Sequence, residues 1–304
     1  MSSCTQITRA PAKINLFLEV MEARADGYHD LRSVVVPVSV CDELKFTLTE
    51  DGVETRMTYA SSRLNGVEIG PEENLATRAA QLLKERTGHP GGVLIEIEKH
   101  IPLAAGLGGG SADAAAVLTT LNELWNTGLS TEMLMELGFA LGCDIPALVR
   151  GGAVCMEGLG EVVRPITSQN GESPDWWLIL VNPGFSVSTP DIYSRYTDLL
   201  TAGEQTYKNI RFGLERGERD LVEQNLFNSL QSTAFEKYSL LEILQEALSR
   251  AGGSGAMLSG SGGSLFAFAD SPEEAEAGRS RIEDEFGDAV WCQTAQVLWR
   301  CPMV

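Results

Sequence analysis

"IPLAAGLGGGSADAAAV", Ile101 to Val117, places Gly106, Gly108, Gly109 and Gly110 within five positions, directly ahead of an alanine-rich stretch of helical character. Glycine loses more backbone freedom on folding than any other residue, a cost of roughly 0.5–1 kcal/mol relative to alanine inside a regular element. Some gain must offset that cost. The preceding "GVLIEIEKHIP" alternates apolar and polar residues and reads as a strand. Strand, glycine loop and helix in that order make an anion site: the first helical N–H groups lack intrachain partners and carry the positive end of the helix dipole, and glycine leaves them unshielded. Ser111 adds a hydroxyl for a phosphate or a magnesium ion. A close-packed turn ahead of a helix, with no ligand, is the plain alternative.

Working outward, Ile14–Val20 and Val34–Val40 read as strands separated by a turn at Asp26-Gly27, and a β-rich stretch runs from Asp42 to about Ile69. Asn74 is placed to cap a helix with Leu75, Ala79, Leu82 and Leu83 on one face. Helices are expected from Ala112 to Trp125 and from Ser130. The polar, turn-rich "PITSQNGESPD", Pro165 to Asp175, is the predicted boundary between domains spanning 1–165 and 176–304. Beyond it the pattern predicts a strand (Trp176–Val181), helix around Asp191–Leu200, helix from Asp220 through Arg250, a second glycine cluster, a strand (Leu265–Ala269), a helix boxed by Ser271, Pro272 and Glu274, and final strands.

A chain of 304 residues with 43% hydrophobic and 21% charged content can bury its cores without staples, and its length suits two domains. The formal charge of −19 argues against nucleic acid or an anionic membrane as partner, since both call for clustered Lys and Arg. An acidic protein must then bind an anion locally, through backbone amides, a few placed cations and a metal ion. Six scattered cysteines without a C-x-x-C pair support neither a disulfide framework nor a zinc site, and are expected as buried free thiols. The N-terminal stretch has no basic region followed by an apolar run, and no segment approaches the ~20 apolar residues that span a bilayer. A reducing cytoplasm is the expected setting. Nothing in the sequence speaks to oligomeric state.

Three loop designs compete for the glycine stretch. A Walker loop needs a lysine, and none occurs between Lys99 and Lys208. A dinucleotide G-x-G-x-x-G would require a third glycine where Ser111 stands, early in a first βαβ unit. The third design is carried by "PLAAGLGGGSA", Pro102 to Ala112, which resembles the second motif of the GHMP kinase superfamily. Two further stretches, "APAKINLFLEV" near the start and "MLSGSGGSLFAF" near the end, resemble the first and third motifs of that superfamily, in order. A narrower resemblance, through "PAKINLFLEVMEARADGYHDL", "ENLATRAA", "LGCDIPALVRGGAVCMEGLGE" and "NPGFSVSTPDIY", is to the branch acting on a cytidine-diphosphate-linked methylerythritol; only Leu200 to Ser254 is weakly anchored. The D-G-Y-H element, which other GHMP kinases lack, decides the substrate in this reading.

The resemblance implies an α+β protein: an N-terminal α/β domain of the ribosomal-S5-like type, a C-terminal ferredoxin-like domain, and an active site in the cleft between them. It implies transfer of the γ-phosphoryl group of ATP to the 2-hydroxyl of the methylerythritol moiety, with Mg2+ arriving on the nucleotide phosphates and no dedicated metal cage. Asp144 matches the aspartate assigned as base, and Lys13 the lysine that contacts it and the substrate hydroxyl; an ammonium there offsets charge on the attacking oxygen. Pro102, Leu103, Ala104, Ala105, Gly106, Leu107, Gly108, Gly109, Gly110, Ser111 and Ala112 match the nucleotide loop, and Asn74 and Lys99 positions lining the adenine side. His29 matches a histidine that hydrogen-bonds cytosine and Tyr28 an aromatic that stacks on it, with Tyr193 a second aromatic on the other face; Asn15 and Thr189 match substrate-side residues. A pyrimidine has both a π face and a polar edge and needs both kinds of contact. The sequence departs from the pattern at Cys143, where serine or alanine is commoner, and at Ala112-Asp113; Asp113 is a candidate magnesium ligand, although a carboxylate is already favoured at a helix start.

Overall fold

The long runs of alternating residues near the N-terminus form two unusually long strands in the computed structural model, which describes residues 5–24, 29–64, 69–70, 72–169, 171, 173–197 and 200–299. In the first half β1 (Thr5–Ala23), β2 (His29–Thr49) and β3 (Val53–Tyr59) lead to α1 (Leu75–Thr87), β4 (Gly92–Lys99), α2 (Gly109–Leu124), α3 (Thr131–Phe139), α4 (Ile145–Arg150), β5 (Val154–Gly158) and β6 (Val162–Pro165). The second half comprises β7 (Trp177–Asn182), α5 (Thr189–Arg195), α6 (Glu204–Arg216), α7 (Arg219–Glu223), β8 (Phe227–Asn228), α8 (Gln231–Lys237), α9 (Ser239–Arg250), β9 (Ser254–Leu258), β10 (Leu265–Ala269), α10 (Pro272–Phe286) and β11 (Trp291–Gln296).

Among the described residues the strands form two sheets. The larger has seven, in the order β3-β4-β2-β1-β8, with β5 on β2 and β6 on β5; the smaller is β11-β7-β10-β9. β2 explains why its neighbours run on past the sequence expectation. One edge pairs with β1 along its whole length, while the other serves β5 over Leu31–Val35 and β4 over Glu43–Thr49, so pairing continues through polar residues that read as a connection. Backbone pairing, not side-chain polarity, sets its length.

Three apolar layers follow. One face of the large sheet, through Ala10, Leu44, Phe46, Ile95 and Ile97, packs on α1–α4, where Ala76, Ala79, Ala80, Ala115 and Ala116 let the helices approach closely. The opposite face meets the small sheet through Ile14, Leu16, Val36, Leu178, Leu180, Phe266 and Phe268, with α6 wedged at the side by Tyr207, Ile210 and Leu214. The far face of the small sheet, with Ile179, Val181 and Ala267, is covered by Leu241, Leu244, Leu248 and Ile282.

Local start signals act where predicted. Ser130 Oγ accepts from Met133 N (3.3 Å), and Ser271 Oγ from Glu274 N (3.1 Å) with proline opening the helix. Asn74 Oδ1 accepts from Ala76 N (2.9 Å) and Thr77 N (3.4 Å). Loss of that cap in Asn74→Ala should cost about 1 kcal/mol in urea unfolding, the usual worth of an Asn N-cap.

Two expectations in the second half are corrected. The helix around Asp191–Leu200 is a short one that ends at Arg195, where Tyr196 turns extended (φ −71°, ψ 108°). The continuous helix from Asp220 to Arg250 is instead α7, β8, α8 and α9, broken because Phe227 and Asn228 add a parallel strand beside Phe17 and Leu18 of the large sheet. The polar stretch 165–175 lies between β6 and β7, and β8 later brings the chain back to the first sheet. Cys155 and Cys292 are buried as expected, whereas Cys41 is half-buried and Cys143 exposed because it lies in the turn before α4.

Candidate active site

The glycine loop is tied to the protein by its carbonyls. Ala104 O accepts from Val187 N (3.2 Å), Ala105 O from Ser264 N (2.9 Å), and Leu107 O from Lys13 N (2.9 Å). Gly106 O accepts from Ser259 Oγ (2.9 Å). With the carbonyls turned inward, α2 begins at Gly109 and not at Ala112 as the alanine run implied, and its first backbone bond is Ala112 N to Gly108 O at 2.8 Å. The amides of Gly109, Gly110 and Ser111 precede that bond and so have no carbonyl within the helix. Residues Gly108 to Ser111 are partly exposed, so the turn is not sealed.

The glycines have different reasons. Gly106 is at φ +77° and a Cβ there would fall 2.2 Å from Ser259 O; Gly108, at φ +67°, would meet Lys13 Cγ at 2.9 Å. Packing demands both. Gly110 is helical, and a Cβ would touch only Leu75 Cδ1 at 3.6 Å, an ordinary contact. Nothing inside the protein requires glycine at that position.

Lys13 and Asn15 project from one face of β1, by the two-residue period of a strand. Lys13 is 3% exposed. Its Nζ donates to Asn15 Oδ1 (2.7 Å) and lies 3.4 Å from Asp144 Oδ2. Asn15 Nδ2 donates to Ser33 Oγ (2.8 Å), which donates to Phe17 O (2.7 Å), so the lysine's orientation is fixed from behind. Asp144 holds the N-cap position of α4, but its carboxylate makes no capping bond and its side chain remains 33% exposed. The carboxylate is therefore not consumed by the cap role that its position suggests. Beside it the Cys143 thiol, exposed as a residue but with its sulfur partly withdrawn from water, is pushed up by that desolvation and by the Asp144 and Glu161 carboxylates, which favours the protonated form.

Lys99, which the resemblance sets on the adenine side, is 1% exposed, and its ammonium is directed at the buried carboxylates of Asp42 and Asp113, with Asp113 Oδ2 at 2.6 Å. Asp42 Oδ1 in turn accepts from His100 N (2.6 Å) and Ile101 N (2.9 Å). One ammonium thus ties both ends of the glycine loop to β2: its entry through Asp42 and its helix through Asp113. Asp113, buried against Lys99, is not turned to the loop mouth as a magnesium ligand; burial raises its carboxyl to about 7 against the opposing pull of Lys99. Among the described residues no group of three or more His, Cys, Asp or Glu side chains is arranged to hold a metal.

Of the remaining predicted residues, Thr189 opens α5 and its Oγ1 is 2.8 Å from Ser261 Oγ in the second glycine loop. Tyr193 is half-buried near Asp144 and Cys143; burial, then those two groups, raise its hydroxyl above the ordinary tyrosine value. His29 Nδ1 is 2.8 Å from Met21 O. Tyr28 lies outside the described residues. Asp42 and Ser33, which also position this site, carry no local sequence signal, whereas Ser259 is marked only as part of the third glycine-rich motif.

The family described as GHMP kinases N terminal domain matches residues 74–152, and GHMP kinases C terminal matches residues 213–288. A homoserine kinase from Cytophaga hutchinsonii shares the fold, with a TM-score of 0.75 at 18% identity over 99% of this chain and 96% of that one. With two facing glycine loops on this pair of sheets, the protein is a GHMP kinase. A relative in Geobacter metallireducens named 4-diphosphocytidyl-2-C-methyl-D-erythritol kinase is 42% identical over 90% of this chain and 92% of its own. Another so named, in Exiguobacterium sibiricum, is 37% identical over 90% and 92%. A crystal structure of 4-(cytidine 5'-diphospho)-2C-methyl-D-erythritol kinase superposes with a TM-score of 0.74 at 32% identity, covering 96% of this chain and 99% of that one. Within the superfamily the chain belongs to the 4-diphosphocytidyl-2-C-methyl-D-erythritol kinase family.

Proposed function

We propose that this protein transfers the γ-phosphoryl group of ATP to the 2-hydroxyl of 4-diphosphocytidyl-2-C-methyl-D-erythritol, giving the 2-phosphate and ADP in the non-mevalonate route to isoprenoid precursors. The observation that carries the reading is the approach of Lys13 Nζ to Asp144 Oδ2, 3.4 Å, beside Gly108 at the open start of α2. Phosphoryl transfer needs an in-line hydroxyl, charge neutralisation on the moving group and a destination for the proton. In this reading Asp144 accepts the hydroxyl proton as the oxygen–phosphorus bond forms and the bond to ADP breaks, while Lys13 offsets charge on the attacking oxygen. The amides of Gly109, Gly110 and Ser111 take the phosphates. Magnesium on the nucleotide would neutralise their charge, with the Ser111 hydroxyl as an oxygen donor toward it.

The cytidyl end is read by His29, whose Nδ1–H donates to Met21 O and so leaves Nε2 as an acceptor for the exocyclic amine of cytosine. Tyr28 and Tyr193 flank the ring, with Asn15 and Thr189 toward the erythritol. Asn74 stays the candidate on the adenine side, and Lys99 moves from contact to support. The division into 1–165 and 176–304 and a cytoplasmic location belong to the same reading; among the described residues no helix is long and apolar enough to cross a membrane.

Product mass after incubation with ATP, magnesium and the cytidyl alcohol tests this directly. Preference for mevalonate, homoserine or galactose would favour a different GHMP kinase specificity. Gly110→Ala gives a sharper check of the loop. Alanine is the better helix former by up to ~1 kcal/mol, so the variant should melt no lower than the parent. Its KM for ATP should rise about tenfold, the worth of one hydrogen bond to a charged group. An unchanged KM would remove the amides of this turn from the nucleotide site.

A further inference from the structure

We infer that Asn228 is a positioning residue for phosphoryl transfer, setting the second glycine loop against Lys13 and Asn15 without touching substrate. The inference rests on the reading that Lys13 and Asp144 face the acceptor hydroxyl. Asn228 is 8% exposed, both N–H donors of its amide are used, and its oxygen accepts one backbone bond. Nδ2 donates to Leu258 O and Gly260 O, both at 2.8 Å, and Oδ1 accepts from Leu230 N at 2.9 Å. One –NH2 group bridging carbonyls two residues apart fixes the direction of the intervening peptide units, those that turn Ser259 toward the first loop. Ser259 Oγ then reaches Gly106 O at 2.9 Å.

The other side of this arrangement is the catalytic strand itself. Phe227 and Asn228 pair with Phe17 and Leu18 of β1, and Ser229 adds bonds from its N to Leu18 O (2.9 Å) and from Val20 N to its Oγ (2.9 Å). Asn228 is therefore registered on the strand that carries Lys13 and Asn15. Gly260, whose carbonyl it holds, is at φ +59°, and a Cβ there would lie 3.4 Å from Asn15 Oδ1, from Gly106 O and from Lys13 Nζ. The loop wall behind the ammonium is set by one side chain from a segment that the motifs of the first half do not reach.

Asn228→Asp keeps the shape but turns an acceptor oxygen toward two carbonyls, so the loop must move. A shift of about 1 Å in a positioned catalytic group costs on the order of a hundredfold in rate. The variant is expected to lose about 10–100-fold in kcat, with KM for ATP and for the cytidyl alcohol changed less than about threefold. Asn228→Ser, which removes the bridge without a charge, should show the same split at smaller size and serves if the aspartate variant does not fold. A folded variant with unchanged kcat overturns the inference, as does a loss of activity that only follows the folded fraction. Should the wild type fail on the cytidyl alcohol, the underlying reading falls instead. Asn228 is then judged by amide hydrogen exchange of Ser259, Ser261 and Gly262: faster exchange in Asn228→Ser supports the positioning role, and unchanged exchange ends it.

Discussion

Asp144→Asn is expected to lower kcat by at least about a hundredfold while leaving ATP affinity within a few-fold of the parent, because general-base contributions typically run 10²–10⁴. Asparagine matches the carboxylate in size but cannot take the hydroxyl proton. Stability should scarcely change, since the Asp144 side chain makes no capping bond to α4 and is 33% exposed. Lys13 keeps its 2.7 Å bond to Asn15 in the variant, so the strand face stays ordered. The measurement is single-turnover phosphorylation beside equilibrium nucleotide binding. Turnover within about threefold of the parent would remove Asp144 from the proton-accepting role and leave the site as an electrostatic cradle alone.

Lys99→Met is expected to cost about 3–5 kcal/mol, the usual penalty for stripping one partner from a buried ion pair. That is a large share of the ~5–15 kcal/mol that holds an ordinary domain together. Asp42 and Asp113, both buried, would be left side by side with no cation, so that Asp113 must either take up a proton or stay an uncompensated buried charge. Asp42 retains its two backbone donors, so Asp113 carries most of the cost. Replacing both Lys99 and Asp113 with apolar residues should therefore recover much of the loss. Urea unfolding measures it, and a loss under about 1 kcal/mol would mean that the three groups are solvated after all.

The same group has a pH signature. Burial raises Asp113 from 3.8 to about 7, so between those values the folded protein holds a proton that the unfolded chain has released. Its contribution to stability is greatest below the unfolded value and declines as pH rises toward 7. Asp113→Asn does not titrate, so its stability relative to the parent should improve with pH across that interval, by at most about 1.4 kcal/mol per unit.

Much of the fold could be read from local pattern because its signals act over a few residues. The caps at Asn74, Ser130 and Ser271 needed only a side chain and an amide two or three positions on. The strand, glycine loop and helix of 92–124 needed only a change of period. Where reading failed, the cause was a distant partner. The apolar residues of 220–250 suited one long helix until β1 claimed Phe227 and Asn228 as a strand. The resemblance sets Lys99 on the adenine side, and nothing local shows its partner Asp42, brought alongside by the pairing of β2 with β4.

By itself the sequence determined the strand, glycine loop and helix of 92–124, the open helix start and which residue types were available for phosphoryl chemistry, since each depends on neighbours along the chain. Only the tertiary structure decided that Gly106 and Gly108 are forced by packing while Gly110 is not, and that Lys13 meets Asp144. It also turned Lys99 inward and gave Asn228 the second loop to hold. Those outcomes depend on sheet register and on which buried charges find partners. Both are settled when remote segments pack together and each polar group removed from water must be matched.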